Sequence, residues 1–294
     1  MITFNLSVGD KNLPNDYPYQ ITPNSRAHLY ANQLVAYKGN NPDIVIHVGY
    51  LLIPFIEAAY EPNSVIEREL KLYQELARKI GSKYILIHLP RSRVEYSNFI
   101  PGLQLIVNTI TDPDITILLE LVHYTKDLQK LLYESCKSND YKATLTQYMS
   151  NILPVIKELN DPRIKFVIDT AHIFSNNCIT FDDYLYTYKL LKEHISDVIH
   201  LNGNIKGPFC SDEHIPFICK TPKNLLYAQF GESEYDLLID HVFSHFRIVI
   251  SENDFKKYNG EFPYSKYLKY AETNHLPIIP DSKHIPKEIV PKKK

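Results

Sequence analysis

Short apolar runs punctuate the chain: ITFNLSV (2–8), AHLYAN (27–32), DIVIHV (43–48), YILIHL (84–89), ITILLEL (115–121), IKFVID (164–169), DVIHLN (197–202) and RIVISE (247–252). Runs this short, apolar or β-branched almost throughout, predict strands buried on both faces. Most are separated by stretches with a helical period. Over 65–80, Ile66, Leu70, Tyr73, Ala77 and Ile80 make one apolar face, while Glu67–Lys71 and Glu75–Lys79 pair on the wet side. Gly81 stands where a glycine ends a helix. A second helix is predicted from Thr180, with Asp183 placed for a capping box and Tyr184, Tyr188 and Leu191 turned inward. Further helices are expected near 96–111, 125–137, 143–160, 233–245 and 264–274, with Pro154 starting or kinking a segment.

Eight strands alternating with helices, without a linker, predict an α/β chain folded as a single (β/α)8 TIM barrel, a size that 294 residues fit. Residues 9–26 hold Pro14, Pro18 and Pro23 and show no helical period, and 33–42 are too short for a crossover helix. The N-terminal helices are therefore expected to be reduced. From Leu276 the chain reads LPIIPDSKHIPKEIVPKKK, and prolines that dense deny helix and central strand. The expected division is a barrel over 1–275 and a Pro/Lys-rich, solvated tail over 276–294.

Chemistry in such a barrel sits at the C-terminal ends of the strands. His47 ends the third run, His88 the fourth, Glu120 the fifth and Asp169 the sixth, with His172 three residues later. His200 ends the seventh, with Asp212 and His214 in the loop beyond it, and Glu252 ends the eighth. Each alone reads as a structural histidine or a helix cap. Together they do not, because carboxylates crowded into one barrel mouth need cations. Histidines and carboxylates without cysteine suit Zn²⁺, Mn²⁺ or Fe. Nine ligands exceed what one ion uses, so two or three ions with a bridging carboxylate are expected, an arrangement suited to phosphoester hydrolysis.

Composition adds limits. Lys and Arg number 32 against 34 Asp and Glu, a formal charge of −2, which argues against holding nucleic acid by bulk positive charge. Cys136, Cys178, Cys210 and Cys219 form no CxxC pair and read as reduced thiols. The N-terminus lacks the basic and apolar regions of a signal peptide, and no apolar run approaches the ~20 residues of a membrane span. The expected setting is intracellular: cytoplasm, nucleus or, for a viral chain, the virion.

At these residues the sequence resembles the endonuclease IV family of zinc-dependent AP endonucleases. VIDTAHIFS (167–175) is similar to that family's strand-six signature, and HLN (200–202) with SDEH (211–214) to its HLND…DRH region. IHVGY (46–50), ILIH (85–88), LLE (118–120) and SE (251–252) follow the family's order. The resemblance implies three zinc ions, with manganese able to take one site. His47, His88 and Glu120 would hold the first. Glu120, Asp169, His200 and Glu252 would hold the second, and His172, Asp212 and His214 the third. It further implies base excision repair: hydrolysis 5′ to an abasic site in duplex DNA by a hydroxide between two zincs. His47, His88, Glu120, Asp169 and Glu252 would then be the catalytic residues. Tyr50 would enter the minor groove, and Asn32, Gln33, Arg91 and Arg93 would contact DNA. The sequence departs from the pattern at Glu213 (Arg in DRH), Gly203 (Asp in HLND), Leu34–Val35 and Leu121. Two other readings are a sugar isomerase or epimerase with one or two divalent metals on a related barrel, and a noncatalytic binder of abasic DNA.

Overall fold

A ring of parallel strands positions everything that follows. The structure is a computed structural model and describes residues 2–7, 20–22, 42–48, 64–92, 96–210, 213–251 and 273. Its strands are β1 (Ile2–Ser7), β2 (Gln20–Thr22), β3 (Val45–His47), β4 (Tyr84–His88), β5 (Thr116–Glu120), β6 (Ile164–Val167), β7 (Val198–His200), β8 (Asn202–Asn204), β9 (His214–Pro216) and β10 (Ile248–Ser251). Eight of them pair in the order β6-β5-β4-β3-β2-β1-β10-β7, and β8 and β9 form a separate antiparallel hairpin. The two ends of the eight-stranded sheet meet. Phe166 bridges Ile195 and Asp169 bridges His200, both parallel. Phe166 N donates to His194 O at 2.7 Å, and His200 N to Ile168 O at 2.9 Å. The chain is a (β/α)8 TIM barrel.

Alternation along the strands divides the core in two. Val45, Tyr84, Leu86, Leu118, Val167, Val198, Ile248 and Ile250 fill the barrel interior. The residues between them, such as Ile46, Ile85, Ile87, Ile117, Leu119 and Ile199, pack outward under the helices. Each such buried side chain contributes about 1.5–3 kcal/mol by leaving water. The helices are α1 (Ser64–Ile80), α2 (Tyr96–Thr109), α3 (Lys126–Cys136), α4 (Tyr141–Met149), α5 (Leu153–Leu159), α6 (Thr170–Ser175), α7 (Phe181–Leu191) and α8 (Leu225–His245). Leu70, Tyr73, Ala77 and Ile80 are the buried stripe of α1, as their spacing predicts. Gly81 takes φ 73° behind it, and Ser82 N donates back to Ala77 O at 2.9 Å, which closes that helix end. Thr180 and Asp183 form the capping box of α7.

Three expectations are corrected. The second strand is Gln20–Thr22, inside the stretch that lacked a helical period, and residues 27–32 lie outside the described residues. A three-residue strand is too short to show a pattern of its own. The helix expected over 143–160 is two, with Pro154 in the first turn of α5. α8 starts at Leu225 and is broken at Gly231, whose φ of 72° no helix accepts. The hairpin β8–β9 and the short α6 were not anticipated. The expected N-terminal reduction (9–19, 23–41), the helix over 264–274 apart from Thr273, and the tail 276–294 lie outside the described residues.

Candidate metal centre

Interior alternation runs on into the ligand-type residues. His47, His88, Glu120, Asp169 and His200 each stand two residues beyond an interior apolar residue: Val45, Leu86, Leu118, Val167 and Val198. The same period that buries those side chains brings the five polar ones to the barrel's C-terminal rim. His172 joins them from α6 and His214 from β9.

Glu120 is the hub, with no exposed surface. Its Oε2 lies 3.1 Å from His88 Nε2 and 3.5 Å from His47 Nε2. Its Oε1 lies 3.0 Å from His172 Nδ1 and 3.2 Å from His200 Nδ1. His47 Nε2 and His88 Nε2 are 3.0 Å apart. Yet neither Glu120 oxygen accepts a hydrogen bond of proper geometry. Donor atoms bound at about 2.0–2.2 Å around a tetrahedral zinc stand roughly 3.3–3.5 Å from one another. Close spacing without hydrogen-bond alignment is therefore what a metal-ligand set presents. Three overlapping sets can hold an ion: His47–His88–Glu120, Glu120–Asp169–His200 and Asp169–His172–His214.

Neighbouring groups fix how each ligand faces. His47 Nδ1 donates to Val48 O at 2.9 Å, and His200 Nε2 donates to Gln20 Oε1 at 2.9 Å, which turns the other ring nitrogen of each into the site. His172 Nδ1 likewise donates to Leu121 O at 2.9 Å. Asp169 divides its work. Oδ1 caps α6, accepting from Ala171 N at 2.7 Å and His172 N at 3.1 Å. Oδ2 accepts from Asn202 Nδ2 at 2.9 Å and stands 3.5 Å from His200 Nδ1 and 3.8 Å from His214 Nε2. Thr170 Oγ1 donates to Asn202 O at 2.6 Å, so the residue after Asp169 holds β8 in place.

Protonation follows from the same geometry. Burial alone would raise the Glu120 carboxyl, but the nearby His200 and His88 imidazoles hold it well below the usual carboxylate range. Burial pushes His88 down against the pull of Glu120. An ionised carboxylate and a neutral imidazole are the forms that bind metal.

The structure thus brings together His47, His88, Glu120, Asp169, His172, His200 and His214. Asp212 and Glu252 lie outside the described residues, as do Tyr50, Asn32, Gln33 and Arg93. Arg91 is half-buried at the rim, against His123. Gln20, Asn202 and His123 were missed. The signal for His123 is its place three residues beyond Glu120; Gln20 carries none, since its strand shows no pattern.

Two departures from the endonuclease pattern have structural reasons. A Cβ on Gly203 would lie 2.5 Å from Asn224 Nδ2. Asn224 is fully buried, caps α8 through Tyr227 N, and donates from Nδ2 to Tyr235 Oη at 3.1 Å. The position has no room for the pattern's Asp. Glu213, where a phosphate-facing cation was expected, is paired with Lys206 at 3.3 Å.

No family model and no curated protein matches the chain. Solved structures do. A D-tagatose 3-epimerase-like protein superposes with TM-score 0.56 at 15% identity, over 92% of this chain and 99% of that one. A xylose isomerase domain protein from Planctomyces limnophilus gives 0.54 at 12%, over 93% and 98%. IOLI protein with a bound zinc atom gives 0.52 at 13%, over 93% and 96%. The chain has the xylose isomerase-like TIM-barrel fold.

These likenesses overturn the AP endonuclease expectation, together with its role in base excision repair. The barrel neighbours include a xylose isomerase domain protein and a D-tagatose 3-epimerase-like protein, nearer to the reading held as the alternative. The physical reason is that the resemblance rested on strand-end histidines and carboxylates, which the barrel's geometry brings to one rim whatever the substrate. At Gly203 and Glu213, which lie off that ligand set, the chain departs from the nuclease pattern. Among the described residues, no helix is long and apolar enough to cross a membrane.

Proposed function

We propose that this chain is a divalent-metal-dependent enzyme that isomerises or epimerises a sugar. The observation that carries the proposal is Glu120: a wholly buried carboxylate with ring nitrogens of His88, His200 and His47 at 3.1–3.5 Å, shared by two of the ligand sets, at the C-terminal end of an isomerase-like barrel. His47, His88 and Glu120 would hold one ion, and Glu120, Asp169 and His200 a second, with zinc the ion best suited to these donors. Bound there, a divalent ion supplies Lewis acidity that polarises hydroxyl and carbonyl oxygens. The chain's own part is to orient and to exclude water. Gln20, Val48 and Leu121 fix the imidazoles, Asn202 and the start of α6 fix Asp169, and the packed interior beneath Glu120 closes the floor of the site. His214 is the half-buried member of the seven, and its Nε2, itself buried, faces Asp169 Oδ2 at 3.8 Å.

Epimerisation removes a proton next to a carbonyl, so solvent deuterium enters the sugar. The test is proton NMR of ketoses and aldoses in D₂O with the chain loaded with zinc, manganese, cobalt or magnesium. Metal-dependent exchange or interconversion is expected with at least one sugar. An aldose–ketose hydride shift appears as interconversion without exchange. Neither change with any metal would reject the reading.

A second reading is metal-dependent phosphoester hydrolysis, favoured by the third ligand set, Asp169–His172–His214. Clusters of ions stabilise both attacking and leaving oxygens. Release of phosphate from a sugar phosphate, without exchange, would select it.

A further inference from the structure

We infer that a cavity walled by α3 and Phe209 binds a small anion that carries a planar ring, the chemistry of a nucleoside monophosphate or an aryl phosphate. None of the seven ligand-type residues of the metal centre lines it, and the inference does not depend on the sugar reading above.

The cavity measures about 350 Å³, a volume that small ligands fill. One face of α3 lines it: Lys126, Gln129, Lys130 and Tyr133 recur at the helical period. Phe209 lines it too. Tyr133 and Phe209 are 48% and 43% exposed, two large rings left half in water. Phe209 holds φ 59°, a left-handed conformation that bulky residues rarely take, and Phe209 N donates to Ser175 O at 2.8 Å. Backbone held in such a conformation is concentrated where ligands are clamped.

Charge selects the ligand. Lys126 and Lys130 are the charged members of the described lining, while Asp127 and Glu134 of the same helix are not part of it. Lys126 stands in the first turn of α3, where the helix's own partial charge already disfavours a cation. It makes no ion pair among the described residues, and Lys130 reaches Glu134 Oε1 only at 4.0 Å, with both of those side chains exposed. Two ammonium groups and a helix N-terminus on one wall, with no carboxylate among the described lining, attract an anion, and the rings of Tyr133 and Phe209 favour a planar partner that stacks on them. The lining is set before a ligand arrives. Buried Asn176 accepts from Tyr124 N and donates to Val122 O, each at 2.8 Å, and Asn177 Nδ2 donates to Asn139 O at 2.9 Å. These bonds tie the chain leaving β5 to the end of α6.

Calorimetry on the metal-loaded full chain tests this, with AMP, phenyl phosphate, adenosine and inorganic phosphate as probes. AMP, phenyl phosphate or both should bind about tenfold or more tightly than adenosine and inorganic phosphate; the two arms tell which ring is taken. Lys126→Met combined with Lys130→Met should remove the preference over adenosine. Phe209→Gly should cut the preference over phosphate several-fold. Glycine suits φ 59°, so this variant should keep or raise the urea midpoint while its affinity falls, which a Phe209 that served the fold alone would not show. Ring-bearing anions that bind no better than phosphate or adenosine, or not at all, overturn the inference. So does a preference that either variant leaves intact; survival in both would assign the anion to the metal ions. Should a variant lose its cooperative melt, amide NMR of the unmodified chain with AMP or phenyl phosphate decides: shifts centred on 124–133, 176 and 209 support the inference, and shifts centred elsewhere overturn it. A chain that binds these anions through α3 but converts no sugar rejects the isomerase reading and keeps this one.

Discussion

His88 and Glu120 face each other in register across β4 and β5, and His88 Nε2 stands 3.1 Å from Glu120 Oε2. Backbone pairing alone makes this contact, since neighbouring parallel strands that end together deliver their last interior side chains side by side. The same phase delivers His47, Asp169 and His200. Positions are thus set by strand register, and orientations by the hydrogen bonds that each ring makes away from the site.

Gln20→Leu tests the second half of that statement. It removes the acceptor that holds His200 Nε2–H and leaves this buried donor without Gln20 Oε1. Metal affinity, measured by competition with a chelator, is expected to fall about 10–100-fold. Stability should fall by about 1–3 kcal/mol. Unchanged affinity would show that the tautomer is fixed by something else.

Metal removal should destabilise the fold. Glu120 and Asp169 are wholly buried, and ions held at a thousand times their dissociation constant stabilise by about 4 kcal/mol. That corresponds to roughly 6–7 °C in the melting temperature of a domain this size. Calorimetric scans before and after chelation check it, and re-addition of zinc should restore the loss.

Gly203→Ala should destabilise by about 1–3 kcal/mol, because the new methyl meets the Asn224 amide at 2.5 Å. Urea midpoints measure this. A neutral effect would mean that Asn224 leaves its place at the start of α8 without cost.

His241 gives the fold a pH dependence remote from the metal centre. Burial, followed by the nearby His245, pushes its imidazole down to about 4. Its Nδ1 is 3.0 Å from Tyr184 Oη, and its ring stacks on His245 at 3.9 Å. In the unfolded chain the ring takes its proton near ~6.5. Between these values the unfolded state binds more protons, so this contribution is complete above pH 6.5 and is lost as pH falls toward 4. The urea midpoint should drop between pH 7 and pH 5 by less in His241→Gln than in the unmodified chain. Equal drops would remove His241 as the cause.

Much of the barrel was legible because its signals are periodic. Strands β3 to β7 and β10 announced themselves as apolar runs, and α1 as a stripe closed by Gly81. Gln20–Thr22 carried no such period, and the hairpin at 202–204 and 214–216 is held by Asn224 and Thr170, partners remote in sequence. Seven ligand-type residues were legible at the strand ends and in the segments that follow. What they act on was not, because the same rim of histidines and carboxylates serves any metal-dependent barrel and substrate choice lies in the loops. Arg91 was singled out from the sequence, but its partner His123 became visible only through strand register.

The most direct test of the account is the metal content of the purified chain after exhaustive dialysis, beside that of Glu120→Gln. One to three divalent ions per chain are expected, with at least one lost in the variant while its circular dichroism is unchanged, since Glu120 is shared by two of the three ligand sets. A chain that retains no metal and takes up none on titration, or a Glu120→Gln variant that keeps the full complement, would contradict it.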